Sequence, residues 1–283
     1  MFASRYADGT MAPNDTPKVF LTGASSGIGL ETAKLLAAQG FELWGTSRDP
    51  ARLPQLPRFH GVPMDLTQTD SIRQGFAVAL KEAGAFDVLI NNAGAGAFGA
   101  IETMPAEMVR EQFQLLVDAP LELIRRALPA MRQRGRGTII NVTSLAAQFP
   151  IPFMAPYSAA KSALSAFTAG LRVELSNTPI RVVEIRPGDI NTPFHDRTRR
   201  VEVASNPEEE RRMKSAWETQ LRNMAASPRP DRVARAVLRA IRTPNPPPVL
   251  VVAGLFQAWL APWGARLLPL RVQEFVLRKY YRL

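Results

Sequence analysis

Lys18-Val19-Phe20-Leu21-Thr22-Gly23-Ala24-Ser25-Ser26-Gly27-Ile28-Gly29 is the stretch whose reading decides the fold. A short apolar run enters a cluster of glycines. Apolar residues then recur at Leu30, Ala33, Leu36 and Ala37, the spacing of one helix face. A strand that turns sharply through glycines into a helix lets backbone come close to a pyrophosphate, which then lies on the helix N-terminus. The spacing is G-x-x-x-G-x-G, not the commoner G-x-G-x-x-G. Taken alone, the glycines fit a simple tight turn equally well.

Downstream, strand and helix patterns alternate. Strands are expected near 18–22, 41–46, 59–63, 86–90, 137–143, 180–185 and 248–252, and helices near 28–39, 69–83, 105–134, 155–177 and 231–242. This order predicts an α/β chain: a single doubly wound, Rossmann-type domain over 17–254, with about seven parallel strands joined by right-handed crossovers and helices on both faces. An insertion, 189–229, precedes the last helix. Its own helix opens at Asn206-Pro207-Glu208-Glu209-Glu210, an N-cap followed by proline and acids in the first turn. Residues 1–16 are polar and turn-rich, without the apolar core of a secretory signal, and are expected to be disordered. Residues 255–283 form an apolar and basic extension.

Two further stretches carry chemistry. Asp87-Val88-Leu89-Ile90-Asn91-Asn92-Ala93-Gly94 reads as a buried strand ending in two amides and a glycine, at the end of an open sheet where ligands lie; the amides could equally cap a turn. Tyr157 and Lys161 stand one helical turn apart, with Ser144 upstream at the end of an apolar run. A phenol ionises near ~10, too high for proton exchange at neutrality, and a fixed cation nearby lowers that value. Tyr157 is thus a candidate general acid/base, although such pairs also occur on solvated helix faces.

The ordered set resembles the short-chain dehydrogenase/reductases, and within them hydroxysteroid and retinol dehydrogenase-like members. The motifs are Thr22 to Gly29, Asp65 after the third strand, Asn91 to Gly94, Ser144 with Tyr157 and Lys161, and Pro187-Gly188-Asp189-Ile190-Asn191-Thr192. The resemblance implies hydride exchange between a nicotinamide cofactor and an alcohol or carbonyl carbon. Tyr157 would supply the proton, Ser144 would orient the oxygen, and Lys161 would bind the nicotinamide ribose and depress the phenol pKa. It also implies cofactor contacts from Gly23, Ser25, Ser26, Gly27, Ile28, Gly29, Arg48, Asp65, Asn91, Ala93, Gly94, Tyr157, Lys161, Pro187, Gly188, Ile190 and Thr192. The segment 189–229 would cover the substrate.

The second strand ends Trp44-Gly45-Thr46-Ser47-Arg48, without an acid to pair a ribose 2′-OH and with an arginine that suits a 2′-phosphate, so NADP is favoured over NAD. Asp49 could pair with Arg48 and weaken that reading. One departure concerns Leu116, aligned where the family carries an asparagine that holds a relay water. Pro120, four residues on, frees the Leu116 carbonyl for that water. The alternative to an enzyme is a cofactor-binding regulator or scaffold whose turnover is impaired by this change.

Between Ser144 and Tyr157 the chain is mostly apolar, Leu145 to Met154, which suits either a hydrophobic alcohol or ketone or simple core packing. No cysteine occurs, and the two histidines, His60 and His195, read as surface or loop residues, so no metal site is expected. The charge of +10 is dispersed among acids and lacks a nucleic-acid motif. It could instead favour an anionic membrane surface or acidic substrates. In the C-terminal extension Val272, Phe275, Val276, Tyr280 and Leu283 fall near one helical face among Arg271, Arg278, Lys279 and Arg282. Packing on the parent domain, a homodimer or homotetramer, and peripheral membrane contact are all open. The protein is expected in the cytoplasm, with the membrane surface as the alternative.

Overall fold

A computed structural model describes residues 16–254, 257 and 267–283. Expectations for 1–15 and for most of 255–266 lie outside the described residues. In chain order the strands are β1 (Lys18–Leu21), β2 (Glu42–Ser47), β3 (Phe59–Pro63), β4 (Val88–Asn91), β5 (Ala97–Phe98), β6 (Gly137–Val142), β7 (Ile180–Pro187), β8 (Arg199–Arg200) and β9 (Val249–Val252). The helices are α1 (Gly27–Ala38), α2 (Thr69–Ala83), α3 (Ala106–Phe113), α4 (Ala119–Gln133), α5 (Ala155–Glu174), α6 (Pro207–Ala225), α7 (Asp231–Arg242) and α8 (Leu270–Tyr281).

Seven strands form one parallel sheet in the order β3-β2-β1-β4-β6-β7-β9. The direction of winding reverses between β1 and β4, and a crevice opens at their carboxyl ends. The inner strands are apolar on both faces because helices cover both. Phe20, Phe76, Phe86, Leu123 and Ile139 fill one layer, while Val19, Leu36, Ile140, Val183 and Val237 fill the other. The expected doubly wound domain is therefore the observed one.

Three segments refine the expectation. The helix expected over 105–134 is interrupted by a π-helical turn, Gln114–Asp118, where the Ala119 N–H bonds to the Gln114 carbonyl. Pro120 has no N–H to give and sits at the start of α4, where none is required. Helix α6 begins as its sequence predicts, with the Asn206 Oδ1 accepting from the Glu209 N–H at 2.9 Å. The C-terminal helix divides the face expected to act as one. Tyr281 is buried, Leu283 packs on the cluster around Tyr157, and the Ser215 hydroxyl donates to the carbonyls of Tyr281 and Arg282. Arg282, at φ 56°, turns the chain end back onto α6. Val272, Phe275 and Val276 remain exposed on the outer side. Among the described residues no helix is long and apolar enough to cross a membrane.

Candidate active site

The glycine turn after β1 is fixed by side chains from β4. The Thr22 hydroxyl accepts from the N–H groups of Asn92 and Ala93 at 2.9 and 3.0 Å. The Asn92 amide donates to the Thr22 carbonyl at 2.9 Å. Gly27 adopts φ +54°, a region costly for other residues. A Cβ on Gly29 would collide with the Gly23 carbonyl oxygen. Ser26 caps α1 without a side-chain hydrogen bond, so no side chain occupies the first-turn N–H groups and they point at the crevice.

That turn forms one end of a cavity of about 580 Å³. Gly23, Ser25, Ser26, Gly27, Ile28, Gly29, Arg48, Asp65, Ala93, Gly94, Ser144, Tyr157, Lys161, Pro187, Gly188, Ile190 and Thr192 all line it, so nearly every residue singled out in the sequence is brought to one place. Asn91 is not among them. It points beneath the sheet tip, where its amide donates to Asn141 Oδ1 at 2.8 Å, and Asn141 in turn donates to Thr168. Its neighbour Asn92 takes the cavity position, because successive strand residues face opposite ways.

Tyr157 lies within α5 and is nearly buried. Burial pushes its phenol up to about 12, a hydrogen bond with Ser144 opposes the rise, and the Asp189 charge adds to it. The expected depression by Lys161 is not what governs the phenol here. The Lys161 ammonium donates to the Val142 carbonyl at 2.8 Å and stands 6.0 Å from the Tyr157 ring centroid. Burial lowers Lys161 itself to about 8, with Glu184 acting in the opposite direction. Glu184 is a buried carboxylate that sequence reading passed over. It accepts from the Thr143 hydroxyl at 2.6 Å, the Ser165 hydroxyl at 3.1 Å and Arg186 at 2.9 Å. Its strand also carries Arg181 and Arg186, and nothing in that local pattern names its neighbour; only the fold brings it near Lys161.

The other end of the cavity departs more from the sequence reading. Of the apolar run between Ser144 and Tyr157, Ile151 and Met154 line the cavity, whereas Phe153 packs on Phe98. The insertion contributes Phe194, His195, Gln220 and Met224. Phe194 sets its edge against the Tyr157 ring at 5.5 Å. His195 is not a free surface residue: its ring packs on Trp217, and burial lowers its pKa while the Asp189 charge and the Gln220 backbone oppose that shift. Behind this wall, Asp189 Oδ2 accepts from Gln257 at 2.6 Å and from the Tyr280 hydroxyl at 3.3 Å. Leu116 is fully buried beside Gly94, in the apolar cluster that includes Met154, Tyr157 and Ala160.

The residues present fit a nicotinamide dinucleotide. A side-chain-free turn at a helix N-terminus suits a pyrophosphate, a Thr192 rim suits an amide, and Arg48 stands at the far end.

Comparison with known proteins agrees with this geometry. The short chain dehydrogenase family profile matches residues 17–202. A 3-ketodihydrosphingosine reductase from Bacteroides thetaiotaomicron is 33% identical over 267 residues, covering 93% of this chain and 97% of its own. The crystal structure of a short-chain dehydrogenase from Streptomyces avermitilis superposes with a TM-score of 0.80 at 27% identity, covering 96% of this chain and 99% of that one. A metagenomic short-chain oxidoreductase in complex with NADP superposes with a TM-score of 0.67 at 28% identity, covering 83% and 96%.

Proposed function

The chain belongs to the short-chain dehydrogenase family and is an NAD(P)-dependent oxidoreductase of CH–OH or carbonyl groups, and on that premise we propose that it is an NADP(H)-dependent reductase of a long, apolar ketone, with Tyr157 as its proton donor. The observation that carries this reading is one cavity holding a buried phenol, its Ser144 partner and Lys161 at one end and Arg48 at the other. A bound nicotinamide supplies the hydride. The residues of this chain do the rest.

Ser144 and Tyr157 both present hydroxyls to a carbonyl oxygen placed between them, polarising the bond as negative charge develops on that oxygen. A phenol held near 12 keeps its proton throughout the neutral range, so Tyr157 stands ready to donate it. Once the phenol has lost its proton, Lys161, about one turn along α5, offers a positive charge that stabilises the phenolate. Thr192 and the strand-end backbone around Gly94 orient the ring that carries the hydride. Phe194, with Ile151, Met154 and Met224, excludes water from the reacting centre and receives an apolar chain.

Similarity to a reductase named for a 3-ketodihydrosphingosine, over almost the full length of both chains, supports a long-chain ketone. The absence of an acid at the end of β2 and the presence of Arg48 support NADP(H), while Asp49 is occupied in capping the next turn. We also propose that the outer face of α8, with Val272, Phe275 and Val276 exposed beside Arg271, Arg278 and Lys279, rests on an anionic lipid surface from which such a ketone is drawn. A second copy of the chain is the competing occupant. Phe275→Glu should abolish sedimentation with anionic vesicles; if it alters particle mass instead, that face is an oligomer contact.

The direct test is NADPH oxidation by the purified protein with 3-ketodihydrosphingosine and with short, polar ketones. Turnover of the long ketone, with loss in Tyr157→Phe at unchanged NADPH binding, is the expected result. NADPH binding without turnover of any ketone would leave the regulator reading standing.

A further inference from the structure

Arg48 and Arg52, from one short segment, and Arg197, far along the chain, line the same cavity. Arg48 follows β2. Arg52 ends the short turn Pro50–Arg52, which Asp49 opens by accepting the Ala51 N–H at 3.1 Å. Arg197 ends the turn His195–Arg197 in the substrate cover. Asp49, between the first two, is used on that turn, and Asp65, which lines the same cavity, accepts from the Thr67 N–H and hydroxyl at 2.9 and 2.8 Å.

Among the described residues none of the three guanidiniums donates a hydrogen bond or forms an ion pair. Elsewhere the chain pairs its guanidiniums freely, as at Arg73, Arg126, Arg186 and Arg235. Burial lowers the Arg197 pKa, and the charges of Arg52 and then Arg48 lower it further, so the three lie close enough to repel one another. Asp196 offsets part of this charge, yet three cations face one acid, and a phosphate dianion complements the remaining positive charge while matching the planar fork of each guanidinium.

We propose that Arg48, Arg52 and Arg197 together clamp the 2′-phosphate of NADP(H), and that Arg197 thereby draws the substrate cover onto the cofactor. The inference rests on the NADP(H) reading and goes beyond it, because it links cofactor choice to closure over the substrate. Arg197 is three residues from Phe194, whose ring meets Tyr157, and it is followed at once by Thr198 and β8, which pairs with β5. Seating Arg197 on the phosphate therefore seats Phe194 against the reacting centre.

The test uses the full chain with Arg197→Ala and Arg48→Ala. It measures affinity for NADPH, NADH and 2′,5′-ADP, the ketone KM with each cofactor, and amide exchange over residues 189–204. For Arg197→Ala the NADPH-to-NADH affinity ratio should fall about tenfold, the loss of one charge-assisted contact. NADPH should protect the cover from exchange in the parent where NADH does not, and the substitution should remove that protection. Equal loss of both cofactors, or equal protection by both, overturns the clamp. If Arg48→Ala lowers the ratio and Arg197→Ala does not, the NADP(H) reading survives and the latch fails. A parent that prefers NADH refutes both.

Discussion

The cofactor side of the cavity rests on the ends of β1, β2, β3 and β4, whereas the substrate side is supplied by residues of the 189–229 insertion with α8 behind them. On the first side the groups that matter are backbone N–H groups and short side chains at the tips of buried strands. Their positions are set by the sheet register and by bonds such as Asn92 to Thr22. On the second side the walls are side chains, held among other contacts by a two-residue strand pair, the Asp189–Gln257–Tyr280 cluster, and the Ser215 bonds to the chain end. A rigid tip suits a cofactor common to a whole family. A loosely tethered wall can be changed without disturbing the sheet, and can open and close.

Substitution where the two sides meet should have the largest effect. If Tyr157 is the proton donor proposed above, kcat of Tyr157→Phe should fall by ~10²–10⁴ or more while NADPH affinity stays within a few-fold. A parallel loss of affinity would mean that the phenol belongs to the cofactor side instead.

The independence of the two sides can be broken from the substrate end. Removing residues 267–283 strips Tyr280 from Asp189 and Tyr281 from α6, and should raise KM for the ketone about tenfold with little change in NADPH affinity. If both change alike, the walls form one unit and the contrast is lost.

Leu116 sharpens the comparison, since it lies beneath both sides. Leu116→Asn buries an amide in an apolar cluster and should cost about 2–3 kcal/mol of stability, by denaturant unfolding, yet leave turnover within a few-fold. A large gain in rate would show that the parent lacks a relay that the backbone does not supply.

An effect on stability of similar size is expected from pH in the protein without cofactor. Folded Lys161 loses its proton near 8, against 10.5 for the ordinary group. Between those values the unfolded chain holds more protons than the folded one, so stability should rise with pH across that window. Below it, the cost of burying the charged amine is fully present. The rise should be at most about 3 kcal/mol relative to Lys161→Met. A parent that falls in step with the variant would show that Glu184 fully supports the ammonium.

The same contrast explains what was legible in the sequence. Gly23, Ser25 to Gly29, Ser144, Tyr157, Lys161 and Thr192 line one cavity, because strand tips and single helical turns are local patterns that a parallel sheet collects at one edge. The sequence motif does not tell Asn91 from Asn92: Asn91 turns inward to Asn141 and Asn92 faces the cavity, since a one-residue step along a strand reverses the face. The interruption at Gln114–Asp118 was not read, although Pro120 marks its end. Glu184, His195 and Arg197 gave no local signal at all. Their partners lie tens of residues away, and only the closed fold brings Glu184 beneath Lys161 or Arg197 beside Arg52.

The most direct measurement is single-turnover oxidation of bound NADPH by the long-chain ketone, in the parent and in Tyr157→Phe, with the product analysed. The account predicts one secondary alcohol formed per NADPH consumed by the parent, and a transfer slowed by at least about a hundredfold in the variant. Equal rates in the two proteins, or NADPH bound tightly and never oxidised by the parent, would contradict it.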